Sequence, residues 1–463
     1  MRRCAALIVL VLVAAALAPA SAQRAAQHGV PRLRAFGEHS SRDPLASRQW
    51  WAQDVGADRV TAPGPGVPVV VVDTGIDLAH PEFAARPNTL GLNRQQVRSR
   101  EDVHGTEVAS VAAAPANGIG VVGLYPRARL ESFDYHDAAV SDVIAGLEKG
   151  AAGGRAVINV SGGFYGRSER LARAVERATA RGAIVVAAVG NERGDGSPPI
   201  VPASLPHVLT VGATDRRDRV AAFSSRSPAL DLAAPGTAIP AAAPTFFAGS
   251  GYTTVDGTSF AAPLVAAATA WVWTKRPELD ATQVEELMRR SARDIGSPGW
   301  DADTGYGIVD VPSALATPAP PPDPLEPNED VDVVAPGSLL PNGIAAVTTP
   351  RRPYATLRAR LERSEDPEDV YRVWAPPGGR VTAVVDPGAG ADLELWGART
   401  RSVHERGAAR NRDLLAASRR PGSAPERVAL NRHGAGAYVY VEVSLPLAAA
   451  GASYTLAVRT GGS

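Results

Sequence analysis

The sequence predicts an α/β domain built on a mostly parallel sheet with helices on both faces, followed by an all-β sandwich. Three observations predict it. Between Val67 and Thr210, short apolar runs alternate with segments of helical period, the order that lays parallel strands side by side and returns each connection across the sheet. At Thr317-Pro-Ala-Pro-Pro-Pro-Asp-Pro324 the composition breaks into a stiff, extended stretch that can neither form a helix nor pair as a central strand. Beyond it the helical period is lost, and short alternating runs sit between Gly/Pro turns. The 463 residues suffice for two cores, since a single core seldom grows past roughly 250–300 residues. The expected division is a leader over 1–22, a short extension over 23–45, the α/β domain over 46–316, a spacer over 317–324 and the sandwich over 325–463.

Val67 to Val72 is almost unbroken valine, as a strand buried on both faces must be. Ala128–Phe133, Ala156–Val160, Ala183–Ala188 and Val208–Val211 are strands by the same reasoning. Helical periods fall at Ser141–Ala151 and Ser168–Arg181. Two more helices are expected at Ser259–Thr274 and Ala281–Ala292, the latter opened by Asp280 with Gln283 three residues on as a reciprocal cap. In the last third, Asp369–Trp374, Arg380–Val385 and Ala437–Val443 alternate as sandwich strands do. No internal repeat argues for a solenoid.

Acidic and basic side chains number 48 each, so no broad basic field exists to hold nucleic acid or an anionic membrane. Arg2 and Arg3, an apolar run from Ala5 to Leu17 and then Ala20-Ser21-Ala22 form an export leader, with cleavage expected after Ala22. The run is shorter than the roughly 20 residues that span a bilayer, so the mature chain is expected to be secreted, without a membrane anchor, and monomeric. Cys4, the one cysteine, leaves with the leader, and no disulfide is expected.

Four motifs carry chemistry. Val71-Val-Asp-Thr-Gly-Ile-Asp77 puts an acid at the C-terminal end of a buried strand, where ligands gather in open α/β sheets. His104-Gly-Thr-Glu-Val-Ala-Ser110 puts an imidazole at a helix start. Ala187-Ala-Val-Gly-Asn191 ends a strand in an amide, and Asp256-Gly-Thr-Ser-Phe-Ala-Ala-Pro263 puts a hydroxyl at the N-terminus of a long helix. Amide hydrolysis needs a nucleophile, a base, a group that orients and charges the base, and donors for the developing oxyanion. Ser259, His104, Asp73 and Asn191 supply one of each. The helix starting at Ser259 also aims unpaired N–H groups at the reacting oxygen, and Pro263 has no N–H for the carbonyl of Ser259. Singly these residues read as caps, turn formers or a core histidine; the ordered set reads as a site.

In this order, with 31 and 155 residues between the acid, the imidazole and the hydroxyl, the motifs resemble the subtilase family. The resemblance covers about Asp43 to Ala314 and includes Gln49-Trp50, Asn117-Gly-Ile-Gly-Val-Val-Gly123 and Gly305-Tyr-Gly-Ile-Val-Asp310. It implies a serine endopeptidase acting on proteins or peptides through an acyl-enzyme, with Asp73, His104 and Ser259 as its triad and Asn191 at the oxyanion. Ser161, Gly162 and Gly163 would line the cleft against the substrate backbone, and Ala188, Val189 and Gly190 would wall the pocket before the scissile bond. No cofactor is required for the chemistry. Calcium sites are frequent in the family, but no set of oxygen ligands is assigned here. A catalytically silent protein-binding module is the alternative reading. A relative with glutamate as its base is excluded by His104.

The chain departs from the family pattern at several points. Glu107 stands where many members carry a second histidine, Phe260 where methionine is common, and Val103 where glycine is common. Glu107 reads as a first-turn acid favoured by the helix dipole, or as a charge that raises the His104 pKa if it faces the imidazole. Too few residues lie between Gln23 and Val67 for the family's folded pro-domain, so maturation by leader removal and short trimming is expected. His28, His39, His80, His136, His207, His404 and His433 show no paired ligand spacing, are read as structural or exposed, and no metal site is expected. Finally Glu326-Pro-Asn-Glu-Asp330, Asp366-Pro-Glu-Asp-Val-Tyr371, Ala391-Asp-Leu-Glu-Leu395 and Gly436-Ala-Tyr-Val-Tyr-Val441 resemble the bacterial pre-peptidase C-terminal domain, an accessory sandwich of secreted peptidases.

Overall fold

The structure is a computed structural model and describes residues 42–462 apart from 136–138, 363–365, 387–389, 421–424, 432–433, 447–448 and 450. The leader, Cys4, nearly all of the 23–45 extension and His28, His39, His136 and His433 lie outside the described residues. Seven strands form one sheet: β1 (Val69–Asp73), β2 (Thr89–Gly91), β3 (Leu130–Asp134), β4 (Ala156–Val160), β5 (Ala183–Ala188), β6 (Val208–Thr214) and β7 (Leu232–Pro235). They lie in the order β2-β3-β1-β4-β5-β6-β7, with every pairing parallel. The direction of winding reverses between β1 and β4, so the loops leaving these neighbours part and open a crevice at their C-terminal ends.

Period two along each strand feeds two cores. Val69 and Val71 point to one face, where α1 (His104–Ala113) packs; Val70 and Val72 point to the other, covered by α2 (Val140–Gly150) and α3 (Glu169–Ala180). Ser168 caps α3 by accepting from the Leu171 N–H at 3.3 Å. The first face also receives α4 (Thr258–Lys275), which is buried from Phe260 through Trp273 and has no solvent side. Next, α5 (Ala281–Arg290) opens on the expected reciprocal cap, with the Gln283 N–H at 2.8 Å from Asp280 Oδ1 and the Asp280 N–H at 3.2 Å from Gln283 Oε1. Among the described residues no helix is long and apolar enough to cross a membrane.

Two strands of this sheet and a hairpin were not anticipated. β2 is a three-residue edge strand, β7 is four residues ending in proline, and β8 (Ile239–Ala242) pairs antiparallel with β9 (Tyr252–Val255). All are too short to show a period.

The remaining strands are β10 (Tyr354–Glu362), β11 (Glu368–Ala375), β12 (Gly379–Val385), β13 (Asp392–Trp396), β14 (Leu414–Ser418), β15 (Glu426–Asn431), β16 (Ala437–Ser444) and β17 (Gly451–Gly462). They form two antiparallel sheets, β10-β17-β12-β15 and β11-β16-β13-β14. Leu361, Val373, Val381, Leu395, Val441 and Leu456 fill the core between them. The proline-rich spacer is docked on the α/β unit: Gln283 Nε2 donates to the Pro320 carbonyl at 2.8 Å and Arg276 Nη1 to the Thr317 carbonyl at 2.6 Å. The sandwich meets that unit through the Tyr306 hydroxyl on Glu362 (2.6 Å) and the pairs Arg360–Glu286 and Arg173–Asp332.

Candidate active site

Asp73 closes β1 at the crevice and is fully buried. Its Oδ1 accepts from the Thr74 N–H at 2.8 Å and from His104 Nδ1 at 2.8 Å. With the proton fixed on Nδ1, Nε2 is left to accept another. This approach depends on Gly105, because a Cβ there would lie 2.3 Å from the Gly75 carbonyl oxygen. Thr74 Oγ1 completes the junction, accepting from the Gly105 N–H at 2.9 Å and donating to the Asp102 carbonyl at 3.0 Å. Val103 adopts ordinary helical angles (φ −72°, ψ −29°), so nothing at this position requires glycine.

Burial opposes the charged imidazolium, but the charge and hydrogen bond of Asp73, with Glu107 adding, hold the His104 pKa above its usual value. Glu107 is itself only 5% exposed. Burial, with the charge of Asp73 adding, pushes its carboxyl up to about 7 against the pull of His104. It is therefore a buried neighbour of the imidazole, and its place in the first turn does not describe its surroundings.

Ser259 lies in the first turn of α4. Its hydroxyl donates to the Ser161 carbonyl at 3.0 Å, and the Ser161 hydroxyl donates back to the Ser259 carbonyl at 2.8 Å. The second bond answers Pro263, which cannot donate to that carbonyl. Asn159, on β4, donates to Ser161 Oγ at 2.9 Å and orients it. The Ser259 hydroxyl is thus tied to the backbone just beyond β4. Phe260 packs its ring 5.5 Å from that of His104.

Asn191 follows β5. Its Oδ1 accepts from the N–H and the hydroxyl of Thr258, at 2.9 and 3.0 Å, which commits the amide oxygen and leaves Nδ2 as a donor at the crevice. His104, Ser161, Gly162, Gly163, Ala188, Gly190, Asn191 and Ser259 line one cavity. Val189 does not: it is 4% exposed, and its N–H is spent on the Val211 carbonyl at 3.0 Å. Tyr135, which directly follows β3 in the segment Glu131 to Asp142 that the sequence sets beside the cleft, lines the same cavity. Sequence reasoning missed Phe164, Glu192 and Ile200, which line it too; of these Glu192 had a local signal, since it directly follows Asn191. Glu192 Oε2 accepts from the Asn191 N–H at 2.7 Å and fills the space that a Cβ at Gly190 (φ +107°) would need.

An acid, a base, a hydroxyl and an amide donor on one crevice can activate a nucleophile and stabilise the anion it creates. Comparison with known proteins agrees. The family model described as the subtilase family matches residues 64–307. Subtilisin BL of Lederbergia lenta is 36% identical over 271 residues, covering 56% of this chain and 97% of that protein. The alkaline protease of Alkalihalobacillus alcalophilus is also 36% identical over 271 residues, covering 56% of this chain and 69% of that protein. Among solved structures, the psychrophilic subtilisin-like protease Apa1 from Pseudoalteromonas sp. AS-11 aligns with a TM-score of 0.50 and 19% identity, over 58% of this chain and 97% of that one, a likeness of fold.

Proposed function

The chain belongs to the subtilase family of serine peptidases, and from that premise we propose that it is a secreted endopeptidase cleaving proteins through an acyl-enzyme on Ser259. The observation that carries this reading is the 2.8 Å contact between His104 Nδ1 and Asp73 Oδ1 on the crevice that also holds Ser259 and Asn191. In the forward step the Ser259 hydroxyl leaves the Ser161 carbonyl and passes its proton to His104 Nε2 as its oxygen attacks the peptide carbonyl carbon. Asp73 keeps the imidazole in its tautomer and stabilises the imidazolium. Negative charge on the substrate oxygen is met by Asn191 Nδ2 and the backbone N–H at the start of α4. Breaking the C–N bond returns the proton from His104 to the departing amine; water, activated in the same way, then frees the acid.

Gly162 and Gly163 offer backbone without side chains along the cleft, which suits an extended peptide. Secretion rests on the leader over residues 1–22. Hydrolysis of casein and labelling by a fluorophosphonate, both lost in Ser259→Ala, test the reaction. Retention of protein binding in an unlabelled wild type would favour the silent module instead. N-terminal sequencing of exported protein tests cleavage after Ala22.

A further inference from the structure

We propose that a divalent metal ion of zinc's coordination class binds between the two folded units, held by His207 from the α/β side and by Glu326 and Glu329 from the sandwich side. His207 immediately precedes β6, and the two glutamates follow the proline-rich spacer. A ring nitrogen of His207 and one carboxylate oxygen from each glutamate lie within 4.8 Å of one another. Ligand atoms at about 2.0–2.2 Å from a common zinc fit inside that span.

The surroundings call for a cation. His207 is 6% exposed, and its Nε2 already faces Glu329 Oε1 across the junction. The second oxygens, Glu326 Oε2 and Glu329 Oε2, are buried with no hydrogen-bond donor. Beside them Asp369, 0% exposed, has an undonated Oδ1 of its own. The charges that Glu326 feels most are those of Asp366, Asp369, Glu329 and Asp323, all acidic. Carboxylates withdrawn from water among like charges are strongly unfavourable unless a proton or a cation neutralises them.

The imidazole selects the ion. Asp323, Glu326 and Asp366 also converge within 4.8 Å, and an all-oxygen set alone would suit calcium. A nitrogen completing the set, and supplied by the other unit, suits zinc and its neighbours. Ligand spacing could not show this, because the histidine lies 122 residues from Glu329. His207 sits at the N-terminal edge of the sheet, whereas Asp73 and Asn191 sit at its C-terminal edge. The ion therefore fastens the sandwich without touching the crevice.

The test uses the full chain as Ser259→Ala, to prevent self-cleavage, stripped of metal by a chelator and titrated with Zn²⁺ by calorimetry. About one ion per chain is expected, with affinity weakened by about 100-fold or more in His207→Gln and in Glu329→Gln. Zinc should also slow release of the sandwich by an added broad-specificity protease, while chelation leaves the initial rate of peptide hydrolysis by the active chain unchanged. Absence of Zn²⁺ binding overturns the proposal, as does equal affinity in a folded His207→Gln, or binding of Ca²⁺ alone. X-ray absorption at the zinc edge of the loaded Ser259→Ala chain gives an independent check should the ligand variants misfold: a spectrum without an imidazole nitrogen also overturns it.

Discussion

The two edges of the parallel sheet treat buried charge in opposite ways. At the C-terminal edge Asp73 is fully buried but meets His104, so each charge answers the other. At the N-terminal edge, where the sandwich docks, Glu326 meets four other carboxylates. The first arrangement pairs charges that the chain supplies from its own side chains. The second is completed only by something brought from outside. Buried charge thus marks a site in both places, and the sign of its neighbours tells which kind.

The comparison can be broken most severely at the nucleophile. Ser259→Ala should lower kcat by about 10⁶-fold, a scale known from subtilisin itself; measurable turnover near wild type would mean that the paired edge is not the reactive one. Asn191→Ala should lower kcat by about 10²–10³-fold with little change in KM, again a magnitude known from subtilisin rather than derived from this geometry. Equal turnover would show that Nδ2 does not meet the oxyanion. Ser161→Ala removes the donor that replaces the missing N–H of Pro263, leaving the Ser259 carbonyl unsatisfied. Thermal unfolding should show a loss of about 1–3 kcal/mol, and an unchanged melting temperature would mean that another donor takes over.

The smallest effect sharpens the comparison rather than breaking it. His104 works as a base only when neutral, so a pKa held above the usual value places the acid limb of kcat/KM above the ordinary histidine range. Glu107 contributes to that elevation, and Glu107→Gln should move the limb to lower pH while the plateau stays. An unmoved limb in a pH–rate profile would assign the elevation to Asp73 alone.

Much of the catalytic half was legible because burial leaves a plain trace. β4 and β5 were read with their observed ends, since both faces of each are covered and every residue along them is buried. The placement of Asp73 and His104 was legible for a different reason, namely that one ends a strand and the other begins a helix. β7 was not legible, being four residues that finish in proline. Both readings of Glu107 stayed open in the sequence because its position in a first turn says nothing about the 5% exposure that tertiary packing leaves it. The acidic seam was least legible: His207, just before β6, faces Glu329 from 122 residues away, a separation that no local pattern shows.

The helix that carries Ser259 has no face turned to water. It is the keel of the α/β unit, and its first turn cannot shift alone while the rest of its length is gripped by the core. Heat should therefore find no soft route to a folded but disarmed enzyme: on warming, catalysis and calorimetric melting of this unit should fail together.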